Sequence, residues 1–171
     1  MVVDDDIRWL VALISDTGMR LAEAAGLLVE DIHLDAPVPY IDLKPHDHRP
    51  LKTVSSARMI PLVGVSLWAA QRVCENRVSG CCFKRYNYGP KTSSNSASAT
   101  INKWLKSVVG GTSVVHSLRH SFRDRLREIE APSDMIDQLG GWSMKSVGQN
   151  YGDGYKLNHM HEWMSRMCIV D

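Results

Sequence analysis

Residues 114–126, VVHSLRHSFRDRL, concentrate side chains able to hold an anion. Leu118, Phe122, Leu126 and Ile129 recur at steps of four, four and three, which predicts one apolar side of an α-helix. At about 100° per residue, His120, Arg123 and Arg127 fall on the opposite side, with Arg119 at its edge. His116 stands at the expected helix entrance, and Ser117 is the candidate N-cap. A first turn built this way offers free backbone N–H groups, the positive end of a helix dipole, a guanidinium fork and an imidazole. Phosphate is the anion that fits such a site best. A solvated face on a surface helix would carry the same residues, so the rest of the chain must decide.

The elements that would position these groups can be read along the chain. DDDIRWLVALISDTG reads as a helix, with aspartates at its start and Gly18 at its end. RLAEAAGLL continues as a second, short helix. DIHLD and PYIDLK alternate apolar and polar residues, and ARMIPL follows as a third strand. The polar run PHDHRPLKTVSS lies between the second and third strands. GVSLWAAQRVCENRV is helical, KRYNYGPKTSSNSASAT reads as a mobile loop, and ATINKWLKSVV is helical. PSDMIDQLGG starts after a proline and stops at two glycines. SVGQNYGDGY is glycine-rich, and LNHMHEWMSRM closes as an amphipathic helix. The pattern is α+β, mostly α-helical, with a small antiparallel three-stranded sheet. The strand–helix alternation of a parallel fold is absent.

The chain has 171 residues, 44% of them apolar, and a formal net charge of +1. That suffices for one domain with a core. Near-neutral charge does not itself point to nucleic acid, though a local basic face can sit on a neutral domain. Cys81 and Cys82 are adjacent, Cys74 and Cys168 stand apart, and no C-x-x-C pair supports a disulfide framework or zinc ribbon. MVVDDDIRWL is acidic and unlike a signal peptide. No segment approaches membrane-spanning length. The expectation is a cytoplasmic chain with no membrane partner.

Four signals fall in a definite order. TGMRLAEAAGL puts Arg20 just after a helix-ending glycine, with Glu23 three residues on. LKTVSSARMIPL puts Lys52 in a loop ahead of a strand. HSLRH supplies His116, Arg119 and His120. LGGWSMKSVGQNYGDGY supplies Trp142 and, nine residues later, Tyr151. This order and spacing resemble the catalytic domain of the tyrosine recombinases, the phage integrase family, over nearly the whole chain.

The resemblance implies a single catalytic domain over residues 1–171, without the N-terminal DNA-binding domains that usually accompany it. It implies a site-specific recombinase or integrase that cleaves and rejoins double-stranded DNA through a covalent 3′-phosphotyrosine. Tyr151 would attack the phosphodiester. Arg20 and Arg119 would clamp the non-bridging oxygens, Lys52 would protonate the departing 5′ oxygen, and His116 would assist proton transfer. Trp142 would fill the position where many relatives carry a second histidine. Glu23 and His120 are supporting residues. Arginine forks stabilise the extra equatorial charge without a metal, so no cofactor and no metal are expected. Further implied partners are other protomers in a tetramer on DNA, with the C-terminal helix exchanged in trans; packing in cis is an equal alternative. An isolated domain is expected to bind DNA weakly and with strong salt dependence.

Each residue also has a plainer reading. Arg20 could cap a helix or pair with Glu23. Lys44 competes with Lys52, and Tyr155 with Tyr151. Trp142 could be core, and in either role should be largely buried. His46 and His48, with His159 and His161, could suggest metal ligands, but alternating histidines in a polar loop are usually solvated. HEWMS carries Ser165 where a zinc-protease helix needs histidine. Competing functions are a type IB topoisomerase-like nicking–closing enzyme, a degenerate non-catalytic DNA-binding prophage remnant and a metal-dependent nuclease.

Overall fold

The computed structural model describes residues 4–142 and 154–168. Helix α1 (Asp6–Thr17) starts where the Asp5 side chain accepts from the Arg8 amide at 3.0 Å. Its residues Leu10, Leu13, Ile14 and Thr17 are buried. It ends at Gly18, whose φ of 61° is left-handed. A Cβ there would lie 2.4 Å from the Phe122 ring. Glycine is therefore needed twice over, for the turn and for the contact. Arg20 takes the N-cap position of the short helix α2 (Leu21–Ala25).

Strands β1 (Ile32–His33), β2 (Tyr40–Leu43) and β3 (Arg58–Pro61) form the expected antiparallel sheet in chain order. Ile41 pairs with Ile60 in register, and both are buried with Leu43 on the core face. Helices α3 (Gly64–Asn76) and α5 (Val115–Glu128) pack against α1. Helix α6 (Ser133–Gly140) bridges α5 and β3. The architecture is the mostly helical α+β class read from the sequence.

Three expectations need correction. The polar run over residues 84–100 is not one loop. Phe83 and Tyr86 are fully buried around a 3₁₀ turn, and helix α4 (Ser94–Val108) already begins at Ser94. Ala97, Ile101 and Leu105 bury a stripe at four-residue spacing, and that burial overrides the weak helix propensity of the serines. Helix α5 begins at Val115, so Ser117 is inside the first turn and is not its N-cap. Asn102 Oδ1 of α4 instead accepts from the Val115 amide at 2.8 Å, and Ser117 N bonds Val114 O at 2.8 Å. Those first-turn amides are thus occupied rather than free for an anion. Arg119 is not at the polar edge of α5 but on its buried face, in line with Val115, Phe122 and Leu126.

Helix α7 (Leu157–Met167) buries Met160, Met164 and Met167 and packs on β3 and α5 of its own chain. Its apolar stripe is used in cis. Among the described residues, no helix is long and apolar enough to cross a membrane.

Candidate active site

Arg20, Lys52, His116 and Arg119 come from four separate segments and line one open cleft of about 210 Å³. His120, Arg123 and Trp142 complete its described wall. Tyr151 lies outside the described residues.

Arg20 is anchored from beneath. Its Nη1 donates to Glu23 Oε1 at 2.6 Å and to Ser56 Oγ at 2.9 Å. Its backbone N–H donates to Glu23 Oε2 at 2.9 Å. Glu23 is only 3% exposed, so it can hold charge there only because cations surround it. The second cation is Arg58, whose Nη2 reaches Glu23 Oε2 at 3.3 Å. Arg58 also donates from Nε to Leu139 O and from Nη1 to Ser56 O, both at 2.7 Å. One arginine therefore ties β3, the loop before it and the end of α6 to the carboxylate that orients Arg20.

Arg119 is 4% exposed and spans two chain turns. Its Nη1 donates to Gly18 O, and its Nη2 donates to Gly140 O at 2.6 Å. Burial first, then the neighbouring Arg20 and Arg58 charges, pull its pKa down to about 10. It stays protonated at neutral pH. Its guanidinium lies 4.4 Å from the Trp142 ring centroid. Trp142 is partly rather than largely buried, because one side of it faces the cleft. Gly140 makes room for it, since a Cβ there would sit 1.8 Å from the indole. Gly141, with φ 59°, turns the chain out of α6.

His116 and His120 stand one turn apart, with ring centroids 4.9 Å apart in an edge-to-face arrangement. Partial burial, and then the charges of His120, Arg119, Arg20 and Lys52, hold the His116 imidazole below its ordinary pKa. The neutral ring is favoured, which is the form that accepts a proton.

Lys52 is exposed in the loop before β3 and lines the cleft. Lys44, its competitor, is turned to Asp42 at 3.5 Å and Asp31 at 3.8 Å. Tyr155 is held elsewhere: its hydroxyl donates to Asp134 Oδ1 at 3.0 Å, and its backbone is bracketed by Gln138. The expectation of solvated histidines at 46–48 fails. His46 Nε2 is 2.9 Å from Asp31 Oδ1, and His48 Nε2 is 3.0 Å from Gly26 O. Among the described residues, no three His, Cys, Asp or Glu side chains are grouped to hold a metal.

Sequence reading missed Arg58, Ser56 and Arg123 as parts of this site. The signal for Arg58 was an arginine opening a strand whose inward residues are otherwise apolar. For Arg123 it was the four-residue step from Arg119, which puts both on one ridge of α5.

The cleft combines guanidiniums, an ammonium and imidazoles, and its lining among the described residues carries no carboxylate; Asp137 lies behind it, 3.5 Å from Arg123 Nη2. Such an arrangement has the charge and the donors that a phosphate diester, with added charge on its oxygens, would need. No curated protein sequence matches the chain. Among solved structures, the chain is similar to the integrase of transposon Tn1549 in complex with transposon right-end DNA. That match has 22% identity and a TM-score of 0.60, covering 92% of this chain and 57% of that one. A structure of the same integrase in complex with circular intermediate DNA matches at 21% identity and a TM-score of 0.60, covering 94% of this chain and 58% of that one. The likeness is one of fold, and this chain spans less than two thirds of the length of those relatives. The phage integrase family model matches residues 4–157, and the chain belongs to that family.

Proposed function

We propose that the chain is the catalytic domain of a site-specific DNA strand transferase acting through a covalent 3′-phosphotyrosine. The observation that supports this most is the convergence of Arg20, Lys52, His116, Arg119 and Trp142 on one cleft from distant segments. In this reading Tyr151 Oη attacks a backbone phosphorus, and its phenolic proton passes to His116. The bond from phosphorus to the 5′ oxygen breaks, and Lys52 protonates that oxygen. Arg20 and Arg119 hold the non-bridging oxygens, whose charge rises in the transition state. The phosphotyrosyl ester keeps the bond energy of the diester. Attack by a 5′-hydroxyl then reverses the steps and rejoins a strand, with no cofactor required.

The partner in this reading is double-stranded DNA, in keeping with the DNA bound in the Tn1549 integrase complexes, and the working assembly is a tetramer of protomers. Because α7 already seats Met160, Met164 and Met167 in its own core, exchange in trans would move that helix as a unit. An oligomer on DNA that disappears when residues 157–171 are deleted would support the exchange.

The enzyme reading is tested with a randomised pool of nicked duplexes in which the released end diffuses away. The expected result is a protein–DNA adduct that withstands denaturing gels. It should be lost in Tyr151→Phe and kept in Tyr155→Phe. No adduct from the native chain, or strand cleavage abolished by a chelator, would contradict it.

A further inference from the structure

We infer that Arg123 is a further substrate-binding residue, a third guanidinium that takes a DNA backbone phosphate beside those assigned to Arg20 and Arg119. This inference deepens the proposed function and rests on it. Arg123 lies one turn beyond Arg119 on α5 and lines the same cleft.

The three arginines differ in how many donors they have left. A guanidinium carries five N–H groups. Arg119 uses both Nη atoms on the carbonyls of Gly18 and Gly140. Arg20 uses Nη1 on Glu23 and Ser56, and Nη2 on Gly141 O at 3.4 Å. Arg123 has one partner among the described residues, the Asp137 carboxylate, at 3.5 Å from Nη2. Its Nε is buried yet meets no acceptor among the described residues. Among the described residues, the cleft arginine with the most free donors is thus the one with the fewest structural partners.

Its position is nonetheless fixed. The Arg123 guanidinium lies 4.8 Å from the centroid of the Trp142 ring, which also carries Arg119. A cation resting over a ring is held through its face, and its Nη N–H groups stay open to an oxygen acceptor. A phosphate entering the cleft meets a planar, charged, pre-oriented donor edge, which is the geometry that recognises phosphate oxygens in pairs. Asp137 balances the charge from 3.5 Å, a distance long enough to be given up to a phosphate.

The test compares the native full chain with Arg123→Gln, Arg123→Lys and Arg72→Gln. Arg72 is an exposed control on α3, paired with Glu75 and Asp4. A labelled duplex of mixed sequence is titrated at several salt concentrations, and inorganic phosphate is titrated as a second probe. Losing one phosphate contact lowers the slope of log affinity against log salt by about 0.9. Arg123→Gln is expected to lose about that much slope and to bind phosphate about tenfold more weakly. Arg123→Lys should recover the slope but not the full affinity, because an ammonium is a point charge. Arg72→Gln should match the native chain.

Unchanged slope and phosphate affinity in a folded Arg123→Gln chain would overturn the inference. So would an equal loss in Gln and Lys variants, which would mark Arg123 as a prop for Trp142. Melting temperatures of all four chains identify any that fail to fold, and Arg123→Lys then carries the test. If the native chain forms the covalent adduct while Arg123→Gln equals it in binding, only this inference fails. If the native chain shows no salt-dependent duplex binding, the proposed function fails with it.

Discussion

Two polar clusters flank the small sheet, and they are built from the same residue types to opposite effect. At one, Asp31 is fully buried and saturated. It pairs with Arg49 at 3.2 Å, His46 at 2.9 Å and Lys44 at 3.8 Å, and accepts from Leu28 N at 3.1 Å. Arg49 turns its remaining donors to Gly26 O and Lys44 O. At the other, Glu23 is also buried, but among the described residues it takes only Arg20 and Arg58. Arg119, Arg123, Lys52 and two histidines remain around an open cleft. Density of His and Arg therefore does not mark a site. Cationic groups gathered at open space do, above all where donors such as those of Arg123 have few partners among the described residues.

The comparison breaks first at Arg119. Arg119→Gln is expected to slow adduct formation by about 10²–10³, the range for removing one preorganised donor to a developing oxyanion. Gel quantitation of adduct against time checks this. A loss of less than about tenfold would place Arg119 in the fold alone. The saturated cluster should answer in the opposite way. Asp31→Asn leaves Arg49 buried beside a neutral partner and should destabilise the chain by about 3 kcal/mol, measured by urea denaturation. Its adduct rate per folded molecule should equal the native rate. An equal fall in rate would mean the two clusters are coupled.

Much of this was legible in the sequence, and its limits are physical. The helices, the three antiparallel strands and the order of the boxes follow from periodicity and from Gly18 and Gly141. Its place just ahead of the third strand favours Lys52 over Lys44; what the sequence does not show is that Asp31 and Asp42 engage Lys44. The start of α5 was misplaced because the Val115 amide is taken by Asn102 on another helix, and a partner 13 residues away leaves no local signal. Arg58 draws no reading from the sequence and Arg119 falls at the polar edge of its helix, because charge alone predicts exposure and gives no sign of burial. Besides Glu23, their partners are backbone carbonyls at Gly18, Ser56, Leu139 and Gly140, which any residue could supply.

A smaller effect is expected at Gly140. Gly140→Ala places a methyl on the Trp142 ring and should cost about 1–3 kcal/mol of stability. Adduct formation should fall about tenfold, because the plane beneath Arg119 and Arg123 moves. Thermal melting and the adduct assay read the two effects, and an unchanged rate would show that the indole's position does not matter.

The smallest effect is in pH. The folded pKa of His116 lies below the unfolded value of about 6.5. The unfolded chain therefore binds the extra proton first. Stability attributable to this group is intact above about pH 6.5 and declines as pH falls from there to the folded pKa. Urea midpoints at about pH 7.5 and about pH 5.5 should differ less in His116→Gln than in the native chain. The adduct rate should likewise hold to below about pH 6.5. His120→Gln should move that acidic limb upward by removing a neighbouring positive charge.

The most direct measurement is mass spectrometry of peptides from the trapped protein–DNA adduct. The expected result is a nucleotide attached through its 3′ phosphate to the peptide carrying Tyr151, and to no other peptide. Attachment at Tyr155 or another side chain, or a linkage to a 5′ phosphate, would contradict a cleft built to serve the phenol of Tyr151.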